Sequence, residues 1–438
     1  MSKRNFILLI IILILVIIAV FGFLYFRKPV ADTTENDIGG TNFLSQFNPF
    51  ATSPKPPETT PPIDISPQPP SETIETKLAK ISSMPVAGFT VFIKERLREI
   101  PITNPSPTLP LSGEGAPPAK GGSGGLKKPA LPPTEFAPTL RYVDKMTGNI
   151  YQTFADKIEE QKFSTTIIPK VYDAYFGNKG ESVIMRYLKI DERTIETFVG
   201  ALPKELLGVE TNGNNEVKGT FLPNNIKDIS VSSDGLKIFY LFISGDDMVG
   251  AILNLSNNKK VQVFDSPFTE WLSFWPTKNT VTLTTKPSAN ILGYMYSMDG
   301  AGKNLTKVLG EIKGLTTLMS SNDKLILYSD NNLALNIYHT DSRNSDLLGI
   351  RTLSEKCVWN KTGDALYCAT PKLITIGEYP DTWYQGEVSF NDQFWKIDIK
   401  TGNATLLLDP IASSGEEEID GIKLALDEDE NYLFFVNK

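Results

Sequence analysis

One local pattern recurs along most of this 438-residue chain and limits its fold more than any other feature. An apolar strand is followed by a polar turn and a second apolar strand. The unit appears at residues 170–187, 229–240, 271–283, 315–328, 356–368 and 422–435. In each, β-branched and aromatic residues alternate with polar ones, the period-2 signature of a half-buried strand. Long helical periodicity is missing after Leu140. A lone hairpin buries too little apolar surface to stand in water, but a series of hairpins can stack on one another. The turns fall near Lys179, Asp234, Lys278, Asn322, Thr362 and Asp429. Apart from longer first and last intervals, their spacing is that of a four-stranded propeller blade, roughly 40–45 residues.

Outer strand pairs recur too. Residues 394–407 read strand, Lys-Thr-Gly turn, strand, and residues 335–341 and 293–300 fill the same slot. The hairpin Ser-Ser-Asp-Gly-Leu-Lys-Ile-Phe-Tyr at 232–240, followed by a strand ending in Asp and a Gly turn, resembles the repeat of TolB-like and WD-type β-propellers. The resemblance covers residues 140–438 and implies an all-β propeller of four-stranded blades. It departs from the WD subclass, because no blade carries a Gly-His…Trp-Asp signature. The whole layout resembles a membrane-anchored bacterial surface protein. The six hairpins, plus the pair 139–143 and 149–154, lead to an expectation of seven blades, with residues 85–92 as the innermost strand of the first. Residues 93–99 read as a short amphipathic helix, and residues 77–83 are expected to return and complete the last blade. The alternative is six blades, with residues 140–154 completing the carboxy-terminal one. Either closure removes a free sheet edge.

The first 138 residues differ in character. More than two thirds of the 30 prolines lie between Pro29 and Pro138. Residues 6–26 carry no charge and are mostly Ile and Leu; as a helix they match a hydrocarbon core of roughly 30 Å. The run ends in bulky residues with no small-x-small cleavage site after it, so residues 1–28 read as an uncleaved signal anchor, a transmembrane helix. Residues 29–76, rich in Pro, Thr and Ser, read as a disordered stalk. Residues 77–438 are then the propeller, with a disordered insertion at about 100–138. The basic residues flanking the apolar run are balanced, so the long polar segment after it sets the expected orientation. The protein is expected in the cell membrane, single-pass, with its carboxy-terminal propeller extracytoplasmic.

The chain has one histidine, His339, and two cysteines. A Ser-His-Asp or Cys-His nucleophile would have to use His339, which lies near a strand end and reads as a surface or capping residue. No P-loop, Gly-rich dinucleotide turn or Cys-x-x-Cys occurs. No catalytic residue, cofactor or metal is expected. Acidic clusters at 416–420 and 427–430 lack EF-hand spacing and read as solvated faces. The net charge of −8 argues against nucleic acid, which needs a basic face. Cys357 and Cys368 sit symmetrically about a turn and would face each other across a hairpin, which leaves open a disulfide or two packed thiols. The most unusual segment is Gly-Glu-Tyr-Pro-Asp-Thr-Trp-Tyr-Gln-Gly at 377–386. Loops carry function more often than strands. Glu378, Tyr379, Asp381, Trp383 and Tyr384 form the candidate ligand-binding loop, suited to stacking on a sugar or holding a peptide. The competing reading folds the aromatics onto the propeller rim. The expected function is a binding or scaffold module for a protein or a cell-envelope polysaccharide. The alternative is a cell-surface hydrolase of the carboxylate-dependent glycosidase kind, for which two Asp or Glu suffice.

Overall fold

The computed structural model describes residues 78–98, 133–205, 207, 215–414 and 418–438. All belong to the second of the two units into which the chain divides, Met1–Thr73 and Ile74–Lys438. The expected anchor at 1–28, the expected stalk at 29–76 and most of the expected insertion at 100–138 lie outside the described residues. Among the described residues, no helix is long and apolar enough to cross a membrane.

The described strands form six four-stranded antiparallel sheets and one two-stranded sheet. The first sheet is β1 (Val86–Leu97), β2 (Thr134–Asp144), β3 (Ile150–Phe154) and β4 (Gln161–Lys162). The second is β5 (Val171–Gly177), β6 (Ser182–Leu188), β7 (Ile195–Ala201) and β8 (Lys218–Phe221). The third is β9 (Asp228–Val231), β10 (Lys237–Ser244), β11 (Asp247–Asn254) and β12 (Lys260–Ser266). The fourth is β13 (Trp271–Phe274), β14 (Thr280–Thr285), β15 (Leu292–Asp299) and β16 (Thr306–Lys313). The fifth is β17 (Thr316–Met319), β18 (Leu325–Ser329), β19 (Ala334–His339) and β20 (Ser345–Arg351). The sixth is β21 (Cys357–Trp359), β22 (Ala365–Pro371), β23 (Asp392–Asp398) and β24 (Ala404–Leu408), and β25 (Gly421–Leu426) pairs with β26 (Leu433–Asn437).

Every sheet is a meander whose strands neighbour one another in chain order. The first strands form a ring. β1 lies beside β5, β5 beside β9, and β9 beside β13; β14 meets β17, and β17 meets the short 3-10 turn Ser354–Lys356 that enters β21. β21 lies beside β25, and β25 returns to β1. This is a β-propeller. The period-2 pattern explains how its sheets stack. Val183 and Met185 pack into the core between the first and second sheets, while Ile184 between them packs toward the third. Ile238 and Tyr240 face the second sheet, and Phe239 and Leu241 face the fourth.

The turns joining first and second strands meet on one face of the ring. Asn178 N donates to Gly235 O at 2.6 Å, Thr280 Oγ1 donates to Asp323 at 3.0 Å, and Lys361 pairs with Glu428 at 3.1 Å. Gly235 needs its glycine: φ is +71° and a Cβ would lie 2.8 Å from Asn178 N. The connections between second and third strands, and between blades, therefore lie on the opposite face.

Two expectations are corrected. Six blades are four-stranded, one fewer than the seven expected, and β25–β26 alone holds the next position in the ring. Residues 78–83 do not complete it as a strand. Ser82 closes a local turn, its hydroxyl donating to Met84 O and accepting from Met84 N, an alternative to ladder pairing for this backbone. Leu78 instead joins Leu424, Leu433 and Phe435 in packing against Phe394 and Ile419. Nor do residues 140–154 complete the carboxy-terminal sheet, since β2 and β3 pair with β1 and with each other. The second correction concerns residues 93–99, where β1 runs through to Leu97 in place of a helix. Lys94 pairs with Glu205 at 2.7 Å and Arg96 with Glu135 at 2.7 Å, and both cations lie over the Phe154 ring. Residues two apart share a face only in a strand, so these partners override the local helical pattern.

Candidate functional site

The long connection between β22 and β23 lies on the face opposite the hairpin turns. It contains the short helix α1 (Asp381–Tyr384). Tyr379 and Trp383 are buried, packed with Leu333, Leu353 and Phe390. Trp383 stacks on Phe390, with centroids 6.3 Å apart. Asp381 Oδ2 accepts from Ala289 N at 2.6 Å and Ser288 Oγ at 3.2 Å. Glu378 Oε1 accepts from Asn290 Nδ2 at 3.2 Å. The insertion thus leaves the sixth blade and is tied to the β14–β15 connection of the fourth. Of the five residues singled out in this loop, Trp383 and Tyr379 face inward, Asp381 and Glu378 hold the loop down, and Tyr384 keeps 37% of its surface exposed.

Beneath the loop lies a buried charge cluster that sequence reasoning missed. Lys356 is 0% exposed. Its Nζ lies 2.7 Å from Asp392 Oδ2 and in contact with Asp420 Oδ1. Asp420 Oδ2 accepts from Trp383 Nε1 at 2.9 Å, Phe390 N at 3.1 Å and Ser389 Oγ at 3.2 Å. Asp392 Oδ2 also accepts from Gly421 N at 2.7 Å. Burial pushes the Asp392 carboxyl up to about 6, with the Lys356 ammonium opposing the shift. The available signal was a lysine directly preceding the apolar strand Cys-Val-Trp, a place where an unpaired charge is costly.

A second polar cluster lines the ring. Asp173 on β5 pairs with Lys423 of β25 at 2.7 Å and with Arg186 of β6 at 3.3 Å. Arg186 also donates to Ile226 O at 2.6 Å and lies over the Tyr172 ring. Asp228, which opens β9, accepts from Ser273 N at 2.6 Å and Ser273 Oγ at 2.7 Å. Burial pushes the Asp228 carboxyl up to about 6, although the Ser273 donors favour its charge. Burial also holds the Tyr175 hydroxyl well above its ordinary value. Glu355 carries a hydrogen bond from Tyr384, and surrounding protein raises its carboxyl although part of the side chain still meets solvent. In the ring wall Asp173 is thus paired with Lys423 and Arg186, and Asp228 is held by the Ser273 donors. Such a wall orients a polar ligand more readily than it supplies a free nucleophile.

Cys357 and Cys368 pair across β21–β22 and are bonded through sulfur, with Cα atoms 4.1 Å apart. His339 meets Asp346 across the outer strands β19 and β20, Nε2 to Oδ2 2.9 Å. In the acidic run near the carboxy terminus, Asp427 accepts from Tyr432 N and Glu430 from the Tyr367 hydroxyl.

No family model and no curated protein matches this chain. Among solved structures it is similar to TolB from Acinetobacter baumannii, at 10% identity and TM-score 0.38, over 59% of this chain and 59% of TolB. It is similar to a Mycobacterium tuberculosis puromycin-hydrolyzing peptidase at 9% identity and TM-score 0.45, over 66% of this chain and 46% of the peptidase. It is also similar to an oligogalacturonate lyase in complex with manganese, at 9% identity and TM-score 0.42, over 68% and 82% of the two chains. The chain spans less than two thirds of the length of TolB and of the peptidase. These likenesses concern the fold alone. The class, a β-propeller of four-stranded blades, stands on the strand order and closed ring of this chain.

Proposed function

We propose that this protein is a membrane-anchored, extracytoplasmic propeller that binds a partner on the face carrying the residue 372–391 insertion. One observation carries the reading. The insertion is fixed from below by Asp381, Glu378 and the Trp383–Asp420 bond, yet its outer surface presents Leu373, 75% exposed, and a fully exposed Ile376. Ile291, also exposed, extends the loop to which the insertion is tied. Large apolar side chains held outward on a fixed backbone mark interaction surfaces. A protein partner suits these aliphatic groups better than a cell-envelope polysaccharide, because a sugar would ask for an open aromatic face and Trp383 is buried. The uncharged run at residues 6–26 supports the anchor.

The test is affinity capture from solubilised membranes with the full-length chain and a Leu373→Ser/Ile376→Ser variant. Loss of a captured protein from a variant that melts like the parent is the expected result. Equal capture by both would reject this face. A hydrolase reading draws its support from Asp228, a ring carboxyl held at about 6. Glycan cleavage by the parent, abolished in Asp228→Asn, would replace the binding reading with that one.

A further inference from the structure

Lys356, Asp392 and Asp420 form more than an ion cluster. Lys356 precedes β21, Asp392 opens β23 and Asp420 precedes β25, so the fold brings three distant chain positions into a space closed to water. The amine touches one oxygen of Asp420, while three donors hold the other: Trp383 Nε1, Phe390 N and Ser389 Oγ. Donors on that oxygen stand where a tetrahedral intermediate would gather negative charge. Asp392 reaches the same amine through Oδ2, and its buried Oδ1 has no hydrogen-bond partner. The rings of Trp383 and Phe390 cover the amine, with centroids 5.3 and 5.2 Å away.

We propose that Lys356 and Asp420 become joined by an isopeptide bond, formed without any other reactant, with Asp392 as the proton carrier. Asp392 takes a proton from the Lys356 ammonium. Asp392 passes that proton to Oδ1 of Asp420, the freed Nζ lone pair attacks Cγ of the now neutral carboxyl, and charge gathers on Oδ2 among its three donors. The intermediate then collapses with cleavage of the Cγ–Oδ1 bond. Oδ1 leaves as water, carrying the proton returned by Asp392 and a second one lost from the nitrogen. One ammonium and one carboxylate become one amide and one water, and nothing is oxidised or reduced. Holding the reacting groups in contact removes much of the entropic barrier, and excluding water favours condensation. A carboxyl held at about 6 exchanges protons readily near neutral pH. The bond would weld the entry of the sixth blade to β25, a strand of the two-stranded sheet.

The test is the mass of the reduced full-length chain, followed by protease digestion. The parent is expected to be lighter than its sequence by one water, and the digest to contain a branched peptide joining Lys356 to Asp420. Asp392→Asn is expected at full mass, with Lys356 unmodified. A parent at full mass with an unmodified Lys356 peptide overturns the proposal. So does a water loss confined to Asp420–Gly421 as a succinimide, or a branch ending on Asp392. If Asp392→Asn does not accumulate, Lys356→Arg takes its place and must restore the missing water.

Discussion

A buried lysine is a demand on the rest of the chain. Lys356 stands in the sequence as a charge before an apolar strand, and the carboxylate beside it, Glu355, is hydrogen-bonded to Tyr384. Its partners arrive only when the sixth sheet and β25 come together. Removing the cation leaves two carboxylates facing each other without it. Lys356→Met should therefore cost at least about 3–5 kcal/mol in urea unfolding, the penalty of orphaned buried charges, with loss of the proposed Lys356–Asp420 bond adding to it. Asp228 makes a second residue-scale prediction. Its carboxyl is held at about 6 in the fold against an ordinary 3.8. Between those values the folded chain binds more protons than the unfolded one, so stability falls as pH rises through this window. Asp392 acts with the same sign. Asp409, held at about 2 by Lys372 and Gln393, loses its contribution only at lower pH and does not mask the effect. Melting temperature should thus decline from about pH 4 to about pH 6 by linkage, and Asp228→Asn should flatten that decline. An unchanged slope in the variant would refute the assignment. Neither Asp173 nor Asp228 was legible as a site residue, because each is an ordinary strand residue until the ring closes around it.

At the scale of elements, the hairpins were legible because their period-2 pattern is local. The pairs β5–β6, β9–β10, β13–β14, β17–β18, β21–β22 and β25–β26 all fall where alternation and turn residues put them. Residues 93–99 misled because their spacing suits a helix face, and the deciding partners, Glu205, Glu135 and Asp156, lie far along the chain. Segment 377–386 was legible as unusual, and it left open whether Trp383 faces a ligand or folds inward. That is decided by Asp420 and by the residues 288–290 that anchor the loop. Asp381→Ala should release this anchor at a cost of about 1.5–3 kcal/mol, the range for hydrogen bonds to a charged group. Hydrogen exchange should rise at residues 288–291 and 378–386 and stay unchanged in β9–β12. The β21–β22 hairpin carries a separate constraint. Its disulfide closes a loop of sequence separation 11, and replacing both cysteines with alanine should cost about 2–3 kcal/mol by loop-closure entropy. Guanidinium unfolding of the double variant checks this.

At the scale of the whole molecule, a ring must join its ends. The repeat period made a propeller legible, but the manner of closure did not follow from it, because residues 78–83 pack against the last sheet through Leu78 without joining it as a strand. The two-stranded sheet leaves the join to few groups, and Lys423 is prominent among them. A register shift between Ile422 and Ala425, with φ of +53° at Lys423, breaks the regular ladder of β25 there; bulges commonly re-aim a side chain in this way. Its ammonium donates to Asp173 at 2.7 Å and to Ala87 O at 2.8 Å. One group thus ties the last sheet to both the first and the second. Lys423→Met keeps the aliphatic stem and removes the charge. Because the lysine is partly open to solvent and Asp173 keeps Arg186 as a partner, the cost should lie near the low end for charged hydrogen bonds, about 1–2 kcal/mol. The distribution of the effect matters more than its size. Exchange should accelerate in β1 and β25–β26 while β13–β20 keep their protection, and adding Asp173→Asn should cost less than the sum of the two single changes. A uniform loss of protection around the ring would mean that closure is shared by all the blade interfaces, and an unchanged seam would mean that the packing of β1 against β25 closes the ring without Lys423.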